Sequence, residues 1–425
     1  MSVFNHRRVF SILHQNDLPK IITAVFSQGM LSISNFTIGI IMAKYCEKSE
    51  YGMYVILFSF IGILGGYQKG IINAPLMTLI HNKNEHEQKI YISSLSAGKN
   101  YLFLPPLLVL TLSMIVFGFI SRVPGYYLKE GVVLFAVTTI FLSKEFLRVL
   151  NFVSMDTKTI LIMDLLNVIV VFIGMFFLVY YDIVSSLTGI VILGVGYFVA
   201  YLFSRKKYIY KTSINKKSIK SALLENWNYG KWVFLGVTSS LLQERGYIYI
   251  VTALLGLSTL AEISASRLFL VPIGLLSLSS AQIVIAKGSK MVASNNNKEF
   301  RDFVFSFVSV SLGIWFIYYI LILLISDYIV LFLGEKYANL QMLIAIWGIY
   351  FFIYTIRMLI GTALIVYGHF KKQAAYDIVG STLAIASCFF LISIIGRSGG
   401  IISLIIGEAA TMLLYLKLYI QARHA

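Results

Sequence analysis

Ionisable side chains stand inside stretches of this chain that are otherwise long apolar runs: Lys69, Glu145, Arg148, Asp164, Arg245, Arg267, Arg357, Asp377 and Glu408. A charge near the centre of a bilayer costs about 2.5–3.5 kcal/mol on insertion scales, so each needs a partner or a use. Lys69, Arg245 and Arg267 suit an anionic cargo, above all phosphate, because guanidinium forks match phosphate oxygens and an ammonium acts as a point charge. Glu145 and Glu408 are candidates to bind a coupling ion, or simply to pair with a neighbour. Arg148 with Asp164, and Arg357 with Asp377, flank equivalent inner loops. Each pair reads either as a salt bridge closing a helical hairpin or as a gate at the cytoplasmic mouth. No Ser/His/Asp set, metal cluster or phosphate-cradling glycine loop occurs, so neither an enzyme nor a bound cofactor or metal is expected. Cys46 and Cys388 lie in different halves and give no disulfide framework and no metal-ligand spacing.

The elements that must position these charges are twelve apolar spans: 20–43, 51–80, 101–120, 131–153, 159–181, 185–204, 230–255, 259–286, 303–326, 340–366, 374–395 and 399–420. Most are long enough for an α-helix to cross a hydrocarbon core of roughly 30 Å. With 58% hydrophobic and 13% charged residues, the chain cannot bury its apolar surface against itself alone and must face lipid. The polar N-terminus, with Arg7, Arg8, His14 and Asp17, lacks the pattern of a cleaved signal peptide.

The spans fall into two sets of six. Residues 43–54, at the first outer turn, precede residues 253–264 by 210 positions, and both make a tight connection between the first two helices of a half. Arg148 in span four matches Arg357 in span ten, and Asp164 in span five matches Asp377 in span eleven. An even number of spans per half gives parallel repeats, the plan of a transporter. The expected organisation is a six-helix lobe over 1–204, a basic cytoplasmic linker over 205–229, and a second six-helix lobe over 230–425. Lys69, Arg245 and Arg267 break the repeat, standing opposite Ser279, Asn35 and Leu57. All three sit on the first two helices of a half, which in a two-lobed bundle can line the cleft. Gly62, Gly65, Gly66, Gly70 and Pro75 surround Lys69 and predict an interruption of span two; Pro272 predicts a similar break in span eight.

The net charge of +16 is topological rather than a nucleic-acid footprint. With the N-terminus inside, 22 Lys and Arg fall on inner segments and six on outer ones, which places both termini in the cytoplasm. The longest inner connections lie near 81–100 and 287–302. The linker sets seven basic residues, Arg205 to Lys220, against Glu225 alone and should lie near anionic headgroups.

Gln28, then Ser34-Asn35-Phe36, Ala43-Lys44-Tyr45, Glu50-Tyr51-Gly52-Met53-Tyr54 and Asn73-Ala74-Pro75 together resemble the opening of a known family. It is the polysaccharide-transporter (Wzx-like flippase) branch of the multidrug/oligosaccharidyl-lipid/polysaccharide exporter superfamily. The resemblance is most specific over residues 20–80 and beyond that rests on the helix pattern and the Arg/Asp placements. It implies an all-α, MATE-like, V-shaped bundle in the bacterial inner membrane, with two lobes alternating access around a cationic cavity. The implied cargo is an oligosaccharide on undecaprenyl pyrophosphate, moved to the outer leaflet for O-antigen (lipopolysaccharide) or capsule biosynthesis. Lys69, Arg245 and Arg267 would contact the pyrophosphate while the prenyl tail stays in lipid. Membrane lipids and the polymerase of the same glycan pathway are the other implied partners. Twelve spans, against fourteen in lipid II flippases, turn the expectation away from a peptidoglycan precursor.

Two other readings stand beside this one. A drug/cation antiporter of the same fold would want an acid in the first lobe, and span one has none. A membrane glycan polymerase or ligase would want a sizeable outer loop, and the outer connections are mostly under 14 residues.

Overall fold

The computed structural model describes residues 18–120, 124–208, 214–294 and 296–422. Arg7, Arg8, His14, Asp17, Arg122, Lys211 and Arg423 lie outside the described residues, as does the Lys20 side chain. Among the described residues the regular structure is helical: α1 (Leu18–Tyr45), α2 (Lys48–Gln68), α3 (Ala74–Leu79), α4 (Glu85–Ile120), α5 (Pro124–Val153), α6 (Thr157–Tyr180), α7 (Ser186–Arg205), α8 (Lys216–Leu255), α9 (Leu257–Leu268), α10 (Val271–Ala293), α11 (Asn297–Leu324), α12 (Ser326–Leu333), α13 (Gln341–Val366), α14 (Phe370–Ile395) and α15 (Arg397–Ala422).

Ten helices among these residues are long and apolar enough to cross a membrane, so this is a multi-pass membrane protein. Every expected span falls on helix, but α5 and α8, under spans four and seven, are not among the ten. Polar residues within the helices accompany the difference: α5 carries Lys144, Glu145 and Arg148 within about one turn, and α8 carries Gln243, Glu244 and Arg245 in the middle of its apolar run. The helices also overrun the expected spans. The connections near 81–100 and 287–302 are largely helix, because α4 starts at Glu85 and α10 runs on to Ala293.

The chain divides into two units: residues up to Cys46 with Ile56–Val237, and Glu47–Val55 with Thr238–Ala425. Helix α8 runs unbroken from Lys216, so the second half of the basic segment is helical and belongs to the first unit.

Within the first unit, α5 packs against α4 and α7, α6 against α7, and α1 against α6. Leu76, Leu95, Phe103, Leu142, Phe146 and Met163 form its core. Within the second, α13 packs against α10, α11 and α15, and α14 against α15. The matching partners, α4·α5 with α11·α13, α5·α7 with α13·α15 and α6·α7 with α14·α15, carry the sequence repeat into packing. Ile317, Phe305 and Leu331 are among many large apolar side chains left exposed, as lipid-facing surface requires.

The two expected outer turns agree as well. Cys46 and Glu47 join α1 to α2, while Gly256 joins α8 to α9 in a left-handed conformation (φ 83°) that favours glycine. Gly52, in the motif that carries the family resemblance, lies so close to the Leu257 carbonyl that any side chain there would collide with backbone. Both expected interruptions occur. Residues Lys69–Asn73 form a π-helical turn just before Pro75, and α9 ends two residues before α10 opens with Pro272 near its first turn. The Tyr318 hydroxyl donates to the Phe269 carbonyl at that second break (2.8 Å), satisfying a group the helix has released.

One cap ties the loops together. Asp156 caps α6 by accepting from the Thr159 backbone amide (3.1 Å), and Lys207 donates to the same carboxylate (2.6 Å). The Lys207 ammonium, then the Thr159 bonds, pull the Asp156 carboxyl down to about 2. A depressed carboxyl stabilises above its ordinary range and loses that contribution as pH falls through the folded value. Asp156→Ala is expected to lower unfolding stability by about 1 kcal/mol at neutral pH, the ordinary worth of an N-cap. In thermal melts the gap to the unsubstituted chain should close between roughly pH 4 and pH 2.

Candidate functional site

In the first unit the charges converge on Asp164, which is fully buried. Arg148 Nε donates to its Oδ2 at 3.0 Å, and the Ser27 hydroxyl donates to the same oxygen. Arg148 Nη2 also donates to Gln28 Oε1 (3.3 Å), so a residue of the resemblance motif supports the pair. Lys144 Nζ lies 3.6 Å from Asp164 Oδ1 and donates to Glu145 Oε1 at 2.8 Å. The structure thus brings Arg148, Asp164 and Glu145 into one network, and the member that joins them is Lys144. Sequence reasoning did not single out Lys144, although its place one turn before Arg148 puts both cations on one face of α5. Lys99, expected on an inner connection, is instead buried in α4, donating to Ser143 Oγ at 2.9 Å.

The second unit solves the same problem with different residues. Arg357 Nε donates to Glu408 Oε2, and Nη2 reaches Glu408 Oε1 at 3.4 Å, whereas Asp377 stands 3.7 Å away. Gln243 Nε2 donates to Glu408 at 2.9 Å, and the Tyr415 hydroxyl donates to Asp377 at 2.7 Å. Glu408, fully buried on α15, therefore takes the place in this unit that Asp164 holds in the first. A carboxylate so engaged is the counter-ion of Arg357.

The cations that break the repeat are placed differently. Lys69 opens the π-helical turn of the first unit with an exposed side chain. That turn is fixed from α8: Asn226 Nδ2 donates to the carbonyls of Ile71 (3.2 Å) and Ile72 (3.1 Å), and the Tyr91 hydroxyl donates to Asn226 Oδ1. Single π turns inside α-helices recur at functional sites because they re-aim side chains without ending the helix.

In the second unit, the Arg267 guanidinium lies 5.2 Å from the centre of the Trp347 ring. Trp347 is itself held by donating Nε1–H to the Ile263 carbonyl (3.1 Å). Tyr350 and Tyr354 continue the aromatic row along α13, Tyr350 packing edge-on against Trp347 and Tyr354 stacked on Tyr350. Arg267 Nε is buried with no hydrogen-bond partner. Arg245 interacts electrostatically with Glu244 and Arg267. Glu262 is engaged by Lys48 and Arg397, each at 2.6 Å.

The two classes of charge therefore part company. Among the described residues, Arg148 and Arg357 each have a buried carboxylate within 4 Å, whereas Lys69 and Arg267 have none. The first class is paired directly; in the second, Lys69 interacts with Glu145 and Arg267 with Glu244 at longer range, Arg267 also interacts with Tyr247, and Arg267 Nε keeps a hydrogen to donate. No group of three or more His, Cys, Asp or Glu able to hold a metal occurs among the described residues.

No protein-family model matches the chain, and no curated protein matches it either. Solved structures do. An inward-facing multidrug resistance MATE family transporter of the MOP superfamily aligns with TM-score 0.70 at 12% identity, covering 93% of this chain and 94% of its own. The lipid II flippase MurJ, in an inward closed conformation, aligns with TM-score 0.65 at 14% identity, over 95% of this chain and 88% of its own. A MOP superfamily transporter from Pyrococcus furiosus, described by the reverse polarity of its binding pocket, aligns with TM-score 0.62 at 13% identity, over 95% of each chain. The fold of this chain is that of the MATE-like transporters of the MOP superfamily.

Proposed function

We propose that this chain is a transporter rather than an enzyme, and specifically a Wzx-like flippase for a lipid-linked oligosaccharide. Its cargo is carried on undecaprenyl pyrophosphate and moves from the cytoplasmic to the outer leaflet of a bacterial inner membrane, serving O-antigen or capsule synthesis. Twelve crossings, with α5 and α8 among them, two alternating lobes and cytoplasmic termini complete the proposal. The observation that carries it is the division of charges: the repeat-related arginines are neutralised by Asp164 and Glu408, while Lys69 and Arg267 have no carboxylate within 4 Å among the described residues. Glu145 and Glu244 act on Lys69 and Arg267 from beyond salt-bridge distance, and cations so loosely neutralised within an apolar bundle are costly unless an anionic cargo uses them. Arg245, beside Arg267, adds to the same positive region. The MurJ likeness supports the reading only by showing that this fold accommodates a lipid II flippase.

The test is export of surface glycan in a strain lacking the gene and complemented with variants. Lys69→Ala and Arg267→Ala are each expected to slow export by roughly tenfold to a hundredfold at normal protein levels, the worth of one charge-assisted contact. Export proceeding at full rate in both variants would remove the cationic-contact model. A drug/cation antiporter is the second reading, favoured by the likeness to multidrug MATE transporters. It gains support if deletion leaves glycan intact but sensitises cells to cationic drugs.

A further inference from the structure

The start of α8 holds a second feature that the transport proposal does not use. Lys216, Lys220, Leu223, Leu224 and Trp227 recur at helical spacing along one face and line a groove of about 510 Å³. Tyr101 and Leu102 of α4 form the opposite wall, with Ile71 of the π-helical turn at its base. The volume lies within the roughly 300–1,000 Å³ typical of small-molecule sites. The lining is almost wholly hydrocarbon, and Lys216 and Lys220, both exposed, contribute their aliphatic stems to it. Tyr101 (66% exposed), Leu224 (50%) and Trp227 (42%) present their rings and chain to the outside.

The groove is built rather than incidental, because the opposite face of the same helix is anchored. Ala222 and Asn226 are buried; Asn226 clamps the carbonyls of Ile71 and Ile72, and Lys83 donates to Glu225 at 2.8 Å. Gly98 of α4 lies against Leu223 so closely that a side chain there would press into it. The Lys83 bond has a second consequence. Glu225 is the one acid between residues 205 and 229, and with Lys83 holding it, Lys216 and Lys220 have no carboxylate within 4 Å among the described residues.

We infer that this groove binds an anionic phospholipid of the leaflet that the basic segment faces, its acyl chain along Leu223, Leu224 and Trp227 and its phosphate against Lys216 and Lys220. Three arguments select that occupant. The trough is apolar, and two of the residues that line it are exposed lysines whose ammonium ends lie outside the hydrocarbon lining, a pairing that matches the chain and phosphate of a phospholipid. Exposed Tyr101 and Trp227 are the residue types that settle at the headgroup boundary. The neighbouring chain, with Arg205, Lys206, Lys207 and Lys217 as well, adds the long-range attraction that polybasic segments exert on anionic leaflets. The site lies wholly within the first unit and does not depend on what the protein transports.

The experiment is native mass spectrometry of the full chain in detergent, titrated with dioleoyl phosphatidylglycerol or dioleoyl phosphatidylcholine. Retention of one phosphatidylglycerol on the order of tenfold more strongly than phosphatidylcholine is expected, given two lysines near the headgroup. Lys216→Glu with Lys220→Glu, both on exposed side chains, should abolish that preference. Leu102→Trp, which fills the trough, should weaken retention of both lipids. Inorganic phosphate should not compete, since it lacks the chain. Equal retention of the two lipids, or a preference that survives the double reversal, would overturn the site. Displacement of phosphatidylglycerol by undecaprenyl phosphate at lower concentration would also overturn it, reassigning the groove to the tail of a carrier lipid.

Discussion

Asp164→Ala is expected to destabilise the chain by about 3–5 kcal/mol, and Asp377→Ala, at the matching place in the repeat, by about 1 kcal/mol or less. The two aspartates occupy corresponding sequence positions but not corresponding environments. Asp164 is fully buried and faces Arg148 at 3.0 Å and Lys144 at 3.6 Å; its removal takes the one carboxylate within 4 Å of Arg148 among the described residues, while Lys144 keeps Glu145 at 2.8 Å. Asp377 has a 19% exposed side chain and stands 3.7 Å from Arg357, which keeps Glu408 when Asp377 is gone. Glu408→Ala should therefore resemble Asp164→Ala in size. Changing Arg357 and Glu408 together to leucine should recover most of the loss, because hydrophobic replacement of a whole buried pair is often neutral while removal of one partner is not. Denaturant unfolding in detergent checks all four. Equal losses at Asp164 and Asp377 would show that sequence position, not burial, sets the energetics. If the leucine pair restores stability but abolishes transport, Glu408 has a role beyond neutralising Arg357.

The same residues separate what is legible in an amino-acid sequence from what is not. Helical spans and their duplication are legible because hydropathy is a sum over many residues, and a repeat 210 positions apart recurs at several independent points. The pairing of Arg148 with Asp164 is legible too, since both flank one short connection. Contacts set by rotation of a helix about its axis are not. Glu408 lies 51 residues from Arg357, and only the packing of α15 on α13 aims it at that guanidinium. Lys144 escapes notice because its use depends on which side of α5 faces α6. The basic segment misleads for another reason: its charges read as solvated loop, yet from Lys216 onward they lie on a helix and share a face with Leu223, Leu224 and Trp227. Charge count reports solvent access, while periodicity reports structure, and here periodicity governs. The motif residues fare better as physics than as signature. Gly52 marks a close approach of backbones, Gln28 supports Arg148, and Asn73 closes the π-helical turn ahead of Pro75.

Exchanging the two kinds of cation should give opposite results at Lys69 and Arg267. Lys69→Arg is expected to keep glycan export within about twofold, because an exposed side chain with no fixed partner needs to supply only charge. Arg267→Lys is expected to slow export by about tenfold or more. The planar guanidinium rests on the Trp347 ring at 5.2 Å, and its Nε still has a hydrogen to donate. An ammonium of the same charge can neither stack in that plane nor present a fork to phosphate oxygens. A desolvated cation–π contact is worth about 2 kcal/mol, and each 1.4 kcal/mol is about tenfold, so the loss should exceed tenfold if the stacked geometry orients the arginine toward cargo. Initial rates of export, measured at matched protein levels, separate the outcomes. Equal tolerance at both positions would mean that only summed positive charge matters, and that Trp347 packs beside Arg267 without directing it. Loss at Lys69→Arg alone would move the geometric demand to the π-helical turn, where Asn226 fixes the backbone from which Lys69 projects.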